Sequence, residues 1–375
     1  MALYKVVVFV LTNQILRANS RHMAGASVNE NLHVFEDNTD DTTDTYWLDS
    51  MTWKKDAVRK HMVGPKTPNY CSVCTCSQYN ERLYVDCTDK GLENAFDDIS
   101  RKTVDLDYTR NYISNVVYDN FRGLTLLKVL KLSYNKIRQI AKDAFRDLTS
   151  LTDLYIDNNN IITLQIGIPE GTFDSLINLR LLVMHGNVYV YISDASRLNG
   201  RTFQPLKNLK FLVIDGFRKL KFDYHFLNTR LSSLILKGPP CGCLLNVVDD
   251  DIFDGLLHLQ NLSMRHCNIS SLSPVALSRL KSLRYLDISK NYHLGMQHVL
   301  GPIAKALMDS NIKILKMNLV SDPYQVGNRL DNENLFYINQ LNLTELYMDS
   351  NSIEIIDFHN PLFSKYSTLK VLSLK

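Results

Sequence analysis

Leucine returns along this chain at intervals that fit a stack of short, similar units better than one irregular core. The pattern is L-x-x-L-x-L-x-x-N-x-I/L, clearest at Leu127-Lys-Val-Leu130-Lys-Leu132-Ser-Tyr-Asn135-Lys-Ile137 and at Leu151-Thr-Asp-Leu154-Tyr-Ile156-Asp-Asn-Asn159-Asn-Ile161. Its first position falls at residues 103, 127, 151, 179, 209, 231, 259, 283, 312, 343 and 369, giving eleven starts spaced 22 to 31 residues apart, the last incomplete. The fourth and sixth positions point to the same side of a short strand and so feed one core. A second beat of large apolar residues precedes each next start by six and three positions: Phe121/Leu124, Phe145/Leu148, Phe173/Leu176, Phe203/Leu206, Phe253/Leu256 and Leu277/Leu280. Each unit is thus one coil that cannot bury its own faces, and stacking buries them. The expected fold is an α/β leucine-rich-repeat solenoid, a horseshoe with a concave parallel sheet.

The ninth position calls for a side chain that both donates and accepts, because backbone groups are left unpaired where the chain turns out of the strand. Asn111, Asn135, Asn159, Asn187, Asn291 and Asn351 fill that ladder, while Phe217, Pro239 and Val320 break it near the irregular spacings, where curvature is expected to change. The third, fifth and seventh positions face the concavity. There Leu181, Val183, Phe211, Val213 and Ile235 make an apolar patch over three coils, a candidate ligand patch because a wet sheet face is ordinarily polar. The competing reading is that valine and isoleucine simply make good strands.

Seven cysteines fall into two groups. Cys71, Cys74, Cys76 and Cys87 lie just before the first repeat, with Leu83, Val85 and Leu92 able to cover the exposed end of the core. A disulfide-stapled cap suits that place, with three pairings open, and a zinc site is the alternative. In the second group, Cys267 takes a ladder position. It reads either as a buried thiol or as half of a bridge to Cys241 or Cys243, since neighbouring parallel strands run about 4.8 Å apart. His266 beside them raises a metal reading on too few ligands to make a site.

Residues 1–20 read as a secretory signal: an apolar stretch from Val6 to Leu11 is followed by small residues at Ala18-Asn19-Ser20. Residues 21–69, with the acidic run from Glu36 to Asp44, read as a flexible leader, residues 70–102 as the cap and residues 103–375 as the repeats. A formal charge of +3 implies no nucleic acid, and no apolar run reaches the roughly 18 residues of a spanning helix. Nucleotide-binding and hydrolase motifs are absent and the histidines share no spacing with carboxylates, so neither an enzyme nor a cofactor or metal requirement is expected. Asn261, Asn268 and Asn342 open glycosylation sequons.

A cysteine cap followed by uneven repeats with F-x-x-L-x-x-L spacers and a Cys-Gly-Cys loop at 241–243 resembles the amino-terminal part of a Toll-like receptor ectodomain. Matrix proteoglycans and axon-guidance ligands share the cap and the repeat, but more regularly spaced. The resemblance implies pairing of Cys71 with Cys76 and of Cys74 with Cys87. It also implies a microbial or protein ligand, a receptor dimerisation partner, and a location outside the cell or on the outer side of a membrane. Any membrane attachment would run through a carboxy-terminal part not present in this sequence. The ending at Lys375, inside the strand motif Leu369-Lys-Val-Leu372-Ser-Leu374, reads as a fragment boundary.

Overall fold

The computed structural model describes residues 69–161, 167–187, 198–237, 243–322, 328–356 and 368–374, together with the backbone of the short strands Val7–Phe9 and Lys60–His61. One 15-stranded sheet organises them. From Thr103–Asp107 onward the strands are added in chain order, every pairing is parallel, and the register sets fourth position against fourth position. Leu106, Leu130, Leu154, Leu182, Leu212, Leu234, Leu262, Leu286, Leu315, Leu346 and Leu372 therefore form one column, and all but Leu372 are fully buried. At about 25 cal/mol per Å² of apolar surface, each such leucine stabilises the stack by about 1.5 to 3 kcal/mol relative to exposure.

Opposite the sheet the phenylalanines make a second column. Ring centroids of Phe121, Phe145, Phe173 and Phe203 follow one another at 6.0 to 6.4 Å. The coil starting at 209 is only 22 residues long, and Phe226, shifted one place from the sequence beat, continues the column at 5.4 Å from Phe203. Phe222 sits against Phe226 and passes the contact to Phe253. The regular six-residue offset misses both rings because the shortened coil must reach the same core with fewer residues.

A backbone regularity accompanies the leucines. The eighth position of the coil is left-handed at Arg110, Tyr134, Asn158, Gly186, His266, Lys290, Leu319 and Ser350, with φ between 51° and 70°. Only Gly186 and Asn158 favour that conformation by type; elsewhere the stack imposes it against the chain's local preference. Its amide donates across the stack, as from Arg110 to the Ser133 carbonyl, Tyr134 to Asp157 and Asn158 to His185.

The cap grows out of the sheet. Thr75–Tyr79 and Arg82–Asp86 form an antiparallel hairpin whose second strand pairs in parallel with Thr103–Asp107. Cys71 is bonded to Cys76 and Cys74 to Cys87, so these four sulfurs hold one another rather than a metal. Leu83, Val85 and Cys87 are buried, and Leu92 packs partly buried against the core. The phenol oxygens of Tyr70 and Tyr108 accept from the amides of Ser100 and Phe96, and burial pushes both phenols up in pKa.

Two details differ from the sequence reading. Lys60–His61, inside the segment expected to be a flexible leader, forms a short antiparallel strand on Ser77 and Gln78. Val7–Phe9, inside the expected secretory signal, lies parallel to Val371–Ser373 at the far end of the sheet. An apolar strand can pair with an open parallel edge, and cleavage of a leader there would exclude that pairing. No helix among the described residues is long and apolar enough to cross a membrane.

Candidate functional site: the concave face and its ladder breaks

The asparagine ladder fixes the geometry on which any site is mounted. Each of Asn111, Asn135, Asn159, Asn187, Asn291 and Asn351 donates from its amide nitrogen to a carbonyl of the preceding coil and to one of its own, at 2.7 to 3.2 Å. Their side-chain oxygens accept from the preceding coil, for example from the amides of Ile113, Ile137 and Ile161. All six are buried, and the amide spends donor and acceptor together, as the ninth position requires.

The breaks are resolved by substitute chemistry. In the coil that carries Phe217, the carboxylate of Asp215 accepts from the amide of Gly186 at 2.7 Å and from that of Asn187 at 3.1 Å. In regular coils the amide equivalent to Gly186 goes to a backbone carbonyl, so a side chain has taken over a main-chain task. Asp215 is only 2% exposed. Burial pushes its carboxyl up to about 7 against the pull of the two amides, and the nearby charge of Asp157 adds to the rise. Val320 is also buried, and its amide is taken by Asn351. Pro239 lies outside the described residues.

Cys267, at the ladder position of its coil, is bonded to Cys243, and its amide is held by Asn291. The bridge replaces what an asparagine would tie together. Cys241 lies outside the described residues. Gly216 makes room for the bridge: a Cβ built there would stand 2.1 Å from the Cys243 sulfur and 3.6 Å from that of Cys267. Its place, one residue after the strand Phe211–Asp215, gave no hint of that contact, because the cysteines it faces come from the two following coils.

Leu181, Val183, Phe211, Val213 and Ile235 lie on adjacent strands in register and form, with Tyr155, an apolar cluster separate from the main core. Leu181, Val183 and Val213 are at most 4% exposed, so the open part of the candidate patch is formed by its other members. Tyr155, Phe211 and Ile235 pack against these three buried side chains and themselves remain partly open. Toward the cap the same face turns acidic. Burial and then the charges of Asp153, Asp157, Asp105 and Asp107 push the Tyr155 phenol up. Lys131 bonds Asp107 at 2.9 Å there.

The sequons separate by position. Asn268 and Asn342 are exposed in segments outside the strands. Asn261 sits on the concave strand Asn261–Ser263, where its amide donates to the Ser233 hydroxyl at 2.8 Å and the sequon's Ser263 is buried. No group of three or more His, Cys, Asp or Glu side chains arranged to hold a metal occurs among the described residues, so His266 gathers no ligand set.

The column of leucines, the asparagine ladder and the cysteine cap define a leucine-rich-repeat solenoid of the kind used as a receptor ectodomain. A family profile described as leucine rich repeat matches residues 102–161 and 229–292 and skips the coils around the Phe217 break. The chain resembles Toll-like receptors: it is 28% identical over 224 residues to Toll-like receptor 4 of Pinctada imbricata and 22% identical over 265 residues to human Toll-like receptor 8. These alignments cover 59% and 58% of this chain, and 24% and 25% of the receptors. Mouse podocan is 26% identical over 249 residues, covering 61% of this chain and 39% of podocan. The chain thus spans well under half the length of these relatives.

Proposed function

We propose that the chain is the extracellular ligand-recognition part of a Toll-like innate immune receptor, binding a microbial or protein ligand, or a receptor partner for dimerisation, on its repeat surface. The observation that carries this reading is the second apolar cluster on the concave sheet, with Phe211 partly open against the buried Val213, near the ladder break at Phe217 and the Cys243–Cys267 bridge. Loops released from a regular coil and held on a rigid scaffold are where binding residues accumulate. The acidic neighbourhood of Tyr155 favours a protein or otherwise cationic ligand over nucleic acid. Nothing in the described residues calls for catalysis, and the relatives support a recognition role.

Phe211→Ala in a full-length receptor carrying these repeats tests the reading. If Phe211 is a central aromatic anchor, its truncation costs about 2 kcal/mol or more of binding, roughly thirtyfold in ligand sensitivity. An unchanged response at unchanged surface expression removes the concave cluster as the site. The second reading, a secreted or matrix repeat protein with adhesive or structural work, is favoured by the similarity to podocan. Coding sequence continuing into a membrane helix and a signalling domain would exclude it.

A further inference from the structure

The coil starting at 209 has 22 residues between neighbours of 30 and 28, and a notch of about 770 Å³ is lined by its residues together with Leu198 of the coil before and Asp249, Asp251, Ile252 and Asp254 of the coil after. Leu198, Leu220 and Ile252 are buried at its floor, while Tyr224 and Leu227 stand at its edge, 66% and 41% exposed. The notch is firmly built. Gly255 donates to the Phe222 carbonyl at 2.7 Å, a Cβ at Gly255 would lie 2.0 Å from the Asp223 carbonyl oxygen, and one at Gly200 would lie 2.3 Å from the Asp223 carboxylate. Both glycines let the neighbouring coils close on the short one without filling the space between them.

The lining carries more negative charge than its own cations neutralise. Asp223, Asp249, Asp251 and Asp254 face Lys219 and Lys221. Lys221 is paired with Asp251, whose carboxyl it holds below the usual range, and Arg279 reaches in to Asp254. His225 contacts Asp223 at 2.9 Å and stacks on the Tyr224 ring at 4.0 Å, which holds that exposed ring at the rim. Asp249 is exposed and pairs with no cation among the described residues.

We propose that this notch is a docking site for a segment of a partner protein in which an arginine or lysine is flanked by apolar residues. Leu227, exposed at the edge above the buried apolar floor, takes a flanking side chain, Tyr224 packs over the aliphatic stem or the cation itself, and Asp249 neutralises the charge. An acidic peptide is repelled by the same carboxylates. This site is distinct from the concave cluster and does not depend on that cluster being a ligand site.

The test uses the whole secreted chain and a fluorescent, terminally blocked Leu-Arg-Leu-Arg-Leu peptide, with its Leu-Glu-Leu-Glu-Leu counterpart and a neutral oligosaccharide as competing probes at physiological salt. The arginine peptide is expected to bind saturably, with affinity falling about tenfold or more in Tyr224→Ala and about threefold to fivefold in Asp249→Asn. Both side chains are exposed, so unchanged circular dichroism will show that the fold is kept. Asp119→Asn, an equal loss of charge at an exposed site in the first coil, should leave affinity unchanged. The proposal is overturned by non-saturable binding, by equal binding of the glutamate peptide, by an Asp119→Asn effect as large as that of Asp249→Asn, or by selective binding of the oligosaccharide.

Discussion

Asp215 gives the sharpest quantitative expectation. Its carboxyl is buried and pushed up to about 7, while in the unfolded chain it returns to about 3.8. A group whose pKa is raised on folding contributes stability that is complete below the unfolded value and is lost as pH rises through the folded one. The interval corresponds to roughly 4 kcal/mol at most, of which about 3 kcal/mol is lost between about pH 5 and about pH 8. Asp215→Asn removes the titration. The asparagine keeps one oxygen for Gly186 or Asn187 but turns an NH2 group toward the other amide, a loss of about 1 to 3 kcal/mol at every pH. Wild type should therefore lose stability toward alkaline pH more steeply than the variant, so that the gap between them narrows or reverses near pH 8. Urea unfolding of the oxidised protein, followed by circular dichroism at the two pH values, reads the difference, and titrating groups other than Asp157, whose charge interacts with Asp215, cancel between the two proteins. Parallel pH profiles would refute the argument, because they would mean that Asp215 is already ionised across the window or is open to water.

Asn159→Ala, which strands carbonyls of two coils and the Ile137 amide, should cost about 2 to 4 kcal/mol in the same unfolding measurement, whereas Asn115→Ala, at an exposed position of the short strand Asn115–Val116, should cost under about 0.5 kcal/mol. Gly216→Ala puts a methyl group where the Cys243 sulfur stands, so maleimide labelling of the unreduced, denatured protein should count two more free thiols than in wild type. In secreted protein, glycopeptide mass spectrometry should find sugar at Asn268 and Asn342 and little at Asn261; full occupancy at Asn261 would mean that the concave strand is accessible to the transferase before it folds.

The sequence by itself determined the repeat, its register and the ladder, because a stacked coil repeats the same local demands and answers them with the same residue types. Leu130, Leu154 and Leu182 are legible as one column from their spacing alone, as are Asn135 and Asn159 as one ladder. Only the tertiary structure decided what happens where the pattern fails. Phe217 announces a break, but that Asp215 answers it two residues earlier follows from the meeting of two coils. Phe226 joins the phenylalanine column out of step, and Gly216 yields space to sulfurs arriving from later coils. The left-handed residues at Arg110, Tyr134 and Leu319 are invisible to propensity, since none is a type that seeks that conformation. The notch beside Tyr224 likewise belongs to no motif. Its lining comes from three successive coils, and a space shared between coils is a property of the stack.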